Sequence, residues 1–390
     1  MLIFISDLHL REGLHSHLSK ADQFARFWRR ISAHVRDEPA QLVLLGDVFD
    51  LVRAPAWLAG DLRPYHEPSD ALAAEIEALV RATLVWEKDF FEALREQVEW
   101  GNLVVHYVTG NHDRLINASP GARRAVREAL GQPVTDEPFP TEIRFPEHEV
   151  LAYHGHRVDS LCFDPDGGAP MSDILASELI VRFPVAIRSA LGIDDPRLDD
   201  IDDVRPIFAV PSWVKSLVDK QEKGIGKSVA RVWSDLVGEF LELPAAKDWF
   251  DGHHTAFRLD HAQQIRLLLS LSAKGLRMRD RRFQDAYKLL FGMFDTKFAK
   301  SAWLALKEED GLRFAVNGHT HFAGMNPLGL LDGKPACYFN TGTWRTVHQL
   351  GSAHSSEAFL AYDAMAYLVF FGDSDPMGRR FEWWQGAAGR

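Results

Sequence analysis

Short apolar runs of strand length alternate along this chain with segments of helical period. Leu2-Ile3-Phe4-Ile5, Leu42-Val43-Leu44-Leu45 and Val104-Val105-His106-Tyr107-Val108 are nearly unbroken, the form of strands covered on both faces. Between the first two, Phe24, Phe27, Trp28, Ile31 and Val35 fall at i, i+3, i+4, i+7 and i+11 and predict a core-facing helix near residues 20–36. The opening therefore reads β-α-β. Pro55, Pro64 and Pro68 break the chain after Asp50, and residues 70–98 predict one long helix or two, with Ile76, Leu79, Val80, Leu84 and Trp86 on the apolar face. Residues 142–154 predict a hairpin turning at Pro146-Glu147-His148. The last part is strand-rich, at Phe314–Val316, Ala336–Asn340, Glu357–Tyr362 and Tyr367–Phe371.

Residues 160–310 change character. Val229, Val232, Trp233, Leu236, Val237 and Phe240 make one helical stripe; Ile265, Leu267, Leu268 and Leu271 make another, and Leu289, Leu290, Phe291 and Phe294 a third. This stretch predicts a helical insertion that serves as a cap, a partner-binding surface or a dimer module. The acidic run Asp194–Asp203 reads as a solvated linker.

Composition narrows the classes. The chain of 390 residues is 46% hydrophobic and 25% charged, as in ordinary globular proteins. A net charge of −11 argues against a generic nucleic-acid binder but leaves room for a local basic groove. Arg277, Arg279, Arg281 and Arg282 form a basic cluster, by default a solvated helix face and alternatively a contact for nucleic acid or anionic lipid. Two cysteines, Cys162 and Cys337, cannot make a disulfide framework, so a reduced, cytoplasmic setting is expected. The start shows no signal-peptide pattern, and no apolar run approaches the roughly 18–20 residues of a membrane span.

Five polar segments carry the candidate chemistry, four of them just behind apolar runs. They are Asp7-Leu8-His9, Gly46-Asp47-Val48-Phe49-Asp50, Gly110-Asn111-His112-Asp113, His154-Gly155-His156 and Gly318-His319-Thr320-His321. Ligands carried on strand ends can converge on one point; ligands scattered along flexible loops seldom do. Asp7 and His9, like His319 and His321, stand two apart, so extended backbone aims each pair one way. The donors are imidazole, carboxylate and amide without thiolate, a set that suits Mn, Fe or Zn. An all-oxygen Ca or Mg cage would not need the histidines. Gly226-Lys227-Ser228 ends like a phosphate-binding loop, but Gln221 stands where its first glycine belongs. His253, His254 and His261 lack partners at useful spacing and read as surface residues.

The series resembles the calcineurin-like metallophosphoesterase superfamily, in which Asp-x-His, Gly-Asp-x-x-Asp, Gly-Asn-His-Asp/Glu, a single His and Gly-His-x-His follow in this order. Asn340-Thr341-Gly342-Thr343-Trp344 is similar to the Asn-Thr-Gly-Ser-Trp strand end of bacterial members. The resemblance implies an α/β fold, a four-layer α/β/β/α sandwich with two mostly helical insertions. It places a catalytic core at residues 1–159 and 311–374, a helical insertion at 160–310 and a tail at 375–390. It implies two divalent ions, Mn before Fe, Zn, Ni or Mg. Asp7, His9, Asp47 and His321 would hold the first; Asp47 would bridge to the second, completed by Asn111, His154 and His319. His112 would protonate the leaving oxygen, with Asp50 on its other ring nitrogen.

Two ions about 3.5–4 Å apart clamp the attacking and leaving oxygens of an in-line displacement and make hydroxide available near neutral pH. The expected activity is therefore hydrolysis of a phosphomonoester, phosphodiester or pyrophosphate by a metal-bridging hydroxide. Asp113 either caps a helix at Arg114 or braces the site. His156 reads as a contact for substrate, a brace behind the ligands or a surface residue. Arg345 and Arg11 read as phosphate contacts or ordinary ion pairs.

Within the class, a nucleotide or small ester, DNA or RNA, and a lipid-linked pyrophosphate compete as substrate. Diacylglucosamine hydrolases of the superfamily also carry a helical insertion, but commonly show Arg where His112 stands. The rival of another class is a non-catalytic scaffold of the same fold, recruiting a protein through 160–310; lost ligands would favour it, and none is lost. Peripheral membrane contact also stays open.

Overall fold

The computed structural model describes residues 1–13, 19–35, 38–205, 209–218, 225–253, 261–274, 294–351, 358–373 and 375–389. Leu289, Leu290, Phe291, the cluster Arg277–Arg282 and His254 lie outside the described residues. The strands are β1 (Leu2–Ile5), β2 (Ala40–Leu45), β3 (Leu103–Val108), β4 (Glu142–Phe145), β5 (Val150–Tyr153), β6 (Val204–Arg205), β7 (Phe314–Asn317), β8 (Gly324–Leu331), β9 (Lys334–Asn340), β10 (Thr346–Leu350), β11 (Phe359–Phe370) and β12 (Phe381–Gly389). One sheet runs β3-β2-β1-β11-β10-β6 with β12 paired to β11; the other runs β4-β5-β7-β9-β8.

Alternation along each strand splits its side chains between two cores. From β1 and β2, Leu2, Phe4, Val43 and Leu45 point between the sheets, where they meet Val150, Phe314, Val316, Phe339 and Phe370. Ile3, Ile5, Leu42 and Leu44 point the other way, onto a helical layer. That layer comprises α1 (Lys20–Ile31), α2 (Asp70–Trp86), α3 (Lys88–Glu99) and α4 (Pro120–Ala129). α1 begins at Ser19, whose hydroxyl accepts the Asp22 N–H, and buries Phe24, Phe27 and Ile31 as its period required. The outer face of the second sheet is covered by the helix Phe294–Lys307 through Phe298, Ala302 and Leu306, against Leu151, Ala315 and Tyr338. The result is the α/β/β/α order of layers.

Much of residues 171–269 forms a separate helical core around Phe183, Trp213, Trp233 and Phe240. In the second expected stripe, Ile265 and Leu268 are buried, Leu271 is half-buried and Leu267 is exposed; Leu269, outside that stripe, is buried. The acidic run is not a solvated linker: Pro196–Asp203 is a 3₁₀ segment that buries Leu198, Ile201, Asp202 and Asp203. β6 follows it directly and pairs with β10.

The hairpin near residues 142–154 forms as β4 and β5. The two strands expected at Glu357–Tyr362 and Tyr367–Phe371 are one, β11, because β12 pairs along it from Tyr362 to Phe370 without a break. Residues 381–389, expected as part of a tail, therefore complete a sheet. Both cysteines are free. No helix among the described residues is long and apolar enough to cross a membrane.

Phe370 ties the sheets together, with ring centroids 5.2 Å from Phe314, 5.8 Å from Phe339 and 6.0 Å from Phe4. Phe370→Ala should lower unfolding free energy by about 3–5 kcal/mol, read as a lower midpoint in a urea titration at unchanged secondary structure.

Candidate metal centre

β1, β2 and β3 are parallel, as are β5, β7 and β9. Their carboxyl ends open on one rim, and the motif segments leave from that rim. Asp7 N–H donates to Gly46 O at 3.1 Å, His9 N–H to Asp47 O at 2.9 Å and Gly318 N–H to His154 O at 3.0 Å, so neighbouring exits are stitched together. The Asn340–Trp344 segment acts as a clamp. Asn340 Nδ2 donates to Gly318 O at 2.5 Å, and Thr343 Oγ1 donates to Asp7 O at 2.7 Å.

The segments turn through left-handed backbone. Asp7 (φ 54°), His9 (49°), Asp47 (53°), His319 (72°) and His321 (63°) all adopt it, at a cost of order ~1–3 kcal/mol each for a residue with a Cβ. The extended geometry expected for Asp7–His9 and His319–His321 is thus replaced by turns that bring each pair together differently.

The side chains gather in two groups. Asp7, His9 and His321 form one, and Asp47, His154 and His319 the other. In the first, His321 Nε2 is 3.2 Å from Asp7 Oδ1 and 3.0 Å from His9 Nε2. In the second, His154 Nε2 is 3.2 Å from Asp47 Oδ2, and Asn111 Oδ1 is 3.1 Å from His319 Nδ1. Asp47 Oδ2 is also 3.7 Å from His9 Nε2, which puts this one oxygen between the groups.

Each carboxylate has one oxygen occupied and one turned inward. Asp7 Oδ2 accepts the Ser6 hydroxyl and the His319 N–H, and Asp47 Oδ1 accepts the His112 N–H at 2.8 Å. Asp7 Oδ1 and His154 Nε2 are buried and complete no hydrogen bond. His154 Nδ1 donates to Leu45 O at 2.9 Å, which leaves the Nε2 lone pair facing Asp47.

Electrostatics point the same way. Burial alone would raise the two carboxyls, but the imidazoles around them hold both well below the usual carboxylate range: chiefly His321 and His154 for Asp7, His154 and His112 for Asp47. Burial would lower His154, yet Asp47 and Asp7 push it up to about 10. His9 moves down, mainly through burial, toward the neutral form that ligates metal. Two buried anions call for cations: imidazolium charge such as that of His154 answers them in part, and the donor set fits divalent transition ions.

His112 and Asp50 meet as expected, Nδ1 to Oδ1 at 2.8 Å, with the His112 ring partly exposed at the rim. Asp113 makes no capping bond to the 3₁₀ turn it precedes. Instead it accepts Val48 N–H at 2.8 Å, Gly110 N–H at 2.6 Å and Tyr107 O–H at 2.6 Å, locking the Asp47 and Asn111 loops together.

Three sets of alternatives narrow. Arg11 and Arg345 are buried in ion pairs, Arg11 with Asp202 at 2.7 Å and Arg345 with Asp203 at 2.5 Å, so neither guanidinium is presented to a phosphate. His156 is buried rather than on the surface, its ring 5.6 Å from His154's, and it joins neither group. Burial beside His154 and His319 holds it well below the usual imidazole range, and hence neutral.

Sequence reasoning missed Asp159, whose Oδ2 is 3.2 Å from His319 Nε2 and turns Nδ1 of that ring toward Asn111. It also missed Arg53, which forks onto Asp50 through Nε at 3.1 Å and Nη2 at 2.7 Å. The apolar pair Leu198 and Ile201, three apart in the acidic run, was the available sign that Asp202 and Asp203 pack inward. A separate cavity of 520 Å³ between α1 and β12, lined by Arg26, Arg29, Arg30 and Trp384, contains none of these groups.

Residues 1–186 match the family model of the calcineurin-like phosphoesterases. A comparison with curated proteins gave no match.

At Gly46 (φ 81°) an added Cβ would stand 2.5 Å from His154 Nδ1 and 2.8 Å from Gly110 N. Gly46→Ala should therefore displace His154 and lower the metal content of purified protein, measured by elemental mass spectrometry, with the far-ultraviolet dichroism unchanged.

Proposed function

We propose that the chain is a calcineurin-like metallophosphoesterase that hydrolyses a phosphate ester or anhydride at a two-metal centre, with His112 as proton donor to the leaving oxygen. The observation that supports this most directly is the pair of His/Asp groups meeting at Asp47 Oδ2. Asp7, His9, Asp47 and His321 would hold one ion; Asp47, Asn111, His154 and His319 would hold the other. When bound, such a pair neutralises charge on the phosphoryl oxygens and lowers the pKa of a water at the site.

The protein's own part is orientation and proton handling. Asp50 accepts His112 Nδ1–H, which fixes the ring and leaves Nε2 for the substrate. The His112 ring stands edge-on to His9 at 4.7 Å, so the donor sits beside the first metal group. Asp113 and Asp159 hold ligand-bearing groups from behind. We assign the chemistry to a core of residues 1–159 and 311–374, joined by the helix Phe294–Lys307 and by β12, with the remaining helices of 160–310 as an insertion. Mn is our first choice of ion, and the substrate class follows from assay.

With Mn²⁺, a panel comprising a nitrophenyl monoester, a bis-nitrophenyl diester, cyclic nucleotides, DNA and a nucleoside diphosphate sugar should reveal at least one substrate. Asp47→Ala should lose turnover and bind fewer ions than the parent protein. His112→Ala should keep its metal and lose about 10²–10⁴ in kcat. Undiminished turnover in the Asp47→Ala protein would remove the two-metal mechanism.

A further inference from the structure

A buried chain of charges runs from His112 into the helical insertion. Asp50 accepts His112 Nδ1–H at 2.8 Å, and the Arg53 fork holds the same carboxylate through Nε at 3.1 Å and Nη2 at 2.7 Å. Beyond it, Arg53 Nη1 lies 3.5 Å from Asp202 Oδ1. Asp202 Oδ2 accepts Arg11 Nη1 at 2.7 Å, and that nitrogen also donates to Arg53 O at 2.8 Å. Alongside, Arg345 Nη1 is 3.7 Å from Asp50 Oδ2, and Arg345 Nε is 2.5 Å from Asp203 Oδ1. All six charged residues are buried.

Of the three carboxylates, only Asp50 belongs to a strand-end loop. Asp202 and Asp203 come from the 3₁₀ segment Pro196–Asp203, which Leu198 and Ile201 anchor in the insertion's own core and β6 fastens to β10. Two arginines reach Asp50 directly, and a third, Arg11, lies behind Arg53. Buried cations without anions of their own are costly and would draw on whatever carboxylate they reach. Here Asp202 stands between Arg53 and Arg11, and Asp203 takes Arg345. Asp50 Oδ1 thus serves both His112 and Arg53 Nε, while Arg53 Nη2 spans Asp50 Oδ2 and His9 Nδ1 (2.9 Å) and Nη1 faces Asp202, so the guanidinium is flanked by carboxylates at both ends.

We propose that Asp202, contributed by the insertion, is a positioning residue for phosphoester cleavage: by anchoring Arg53 it fixes Asp50 against His112. The inference rests on the proton-donor role given to His112 above. It makes the insertion part of the proton-donating apparatus, whatever else that segment does.

The test compares two esters of the substrate type found in assay, one leaving as 4-nitrophenolate and one as an alkoxide. Only the alkoxide needs a proton as it departs. Asp202→Asn should lower kcat on the alkyl ester by about tenfold, inside the two to four decades that proton donation supplies, with a much smaller loss on the nitrophenyl ester. Metal content should stay unchanged, and Asp202→Glu should regain part of the loss. In a His112→Ala background, Asp202→Asn should add less than about twofold, because the group it serves is gone.

Equal losses on both esters, or losses that multiply in the double variant, make Asp202 a structural clamp and overturn the inference. Should asparagine at 202 prevent folding, Arg11→Gln loosens Asp202 from its far side and must show the same leaving-group signature. If His112→Ala itself shows no leaving-group dependence, the proton-donor role fails. If His112→Ala shows it and Asp202→Asn does not, only the present inference fails.

Discussion

Two carboxylates, Asp7 and Asp47, are held away from water at the rim where the parallel strands of two mixed sheets end. Most of the surrounding structure answers that charge. Four imidazoles and an amide are turned toward it, and each carboxylate has one oxygen engaged by donors so that the other faces inward. A buried anion is tolerable only beside a cation. Protons on the imidazoles can meet the demand in part, but metal ions meet it with more charge and leave the imidazoles neutral.

Holding that arrangement costs backbone strain. Five of the gathered residues sit in left-handed conformations, which side chains with a Cβ adopt rarely. The loops keep this shape because they are over-determined. Backbone bonds join the β1 exit to the β2 exit and the β7 exit to the β5 exit, the Asn340–Trp344 segment clamps the β1 and β7 exits, and Asp113 ties the β2 loop to the β3 loop. Glycine is required at Gly46 because His154 leaves no room for a Cβ. The apolar cores on both faces of the first sheet supply the rigidity from which these loops hang.

A second set of buried charges lies behind the first. Arg11, Arg53 and Arg345 are matched by Asp50, Asp202 and Asp203. Arginines near a phosphoryl site suggest substrate contacts, but Arg11 and Arg345 are buried beside carboxylates inside the protein. Two of the three matching carboxylates come from a segment that composition alone marks as solvated.

The residues of the two His/Asp groups, the β-α-β opening, the core stripe of α1 and the hairpin at 142–154 were legible in the chain because they are local. A ligand's type, its place after an apolar run and the period of a helix are all written within a dozen residues. The long β11 and the recruitment of β12 were not, since a strand's partners are set by pairing across the sheet and not by its own pattern. The same holds for Arg11, Arg53, Arg345, Asp159 and Asp202. Composition determined that this chain would carry imidazole and carboxylate at strand ends. Only tertiary structure decided which of its many charged side chains would be buried against one another, because burial depends on contacts between segments far apart in the chain, as Arg11 is 191 residues from Asp202.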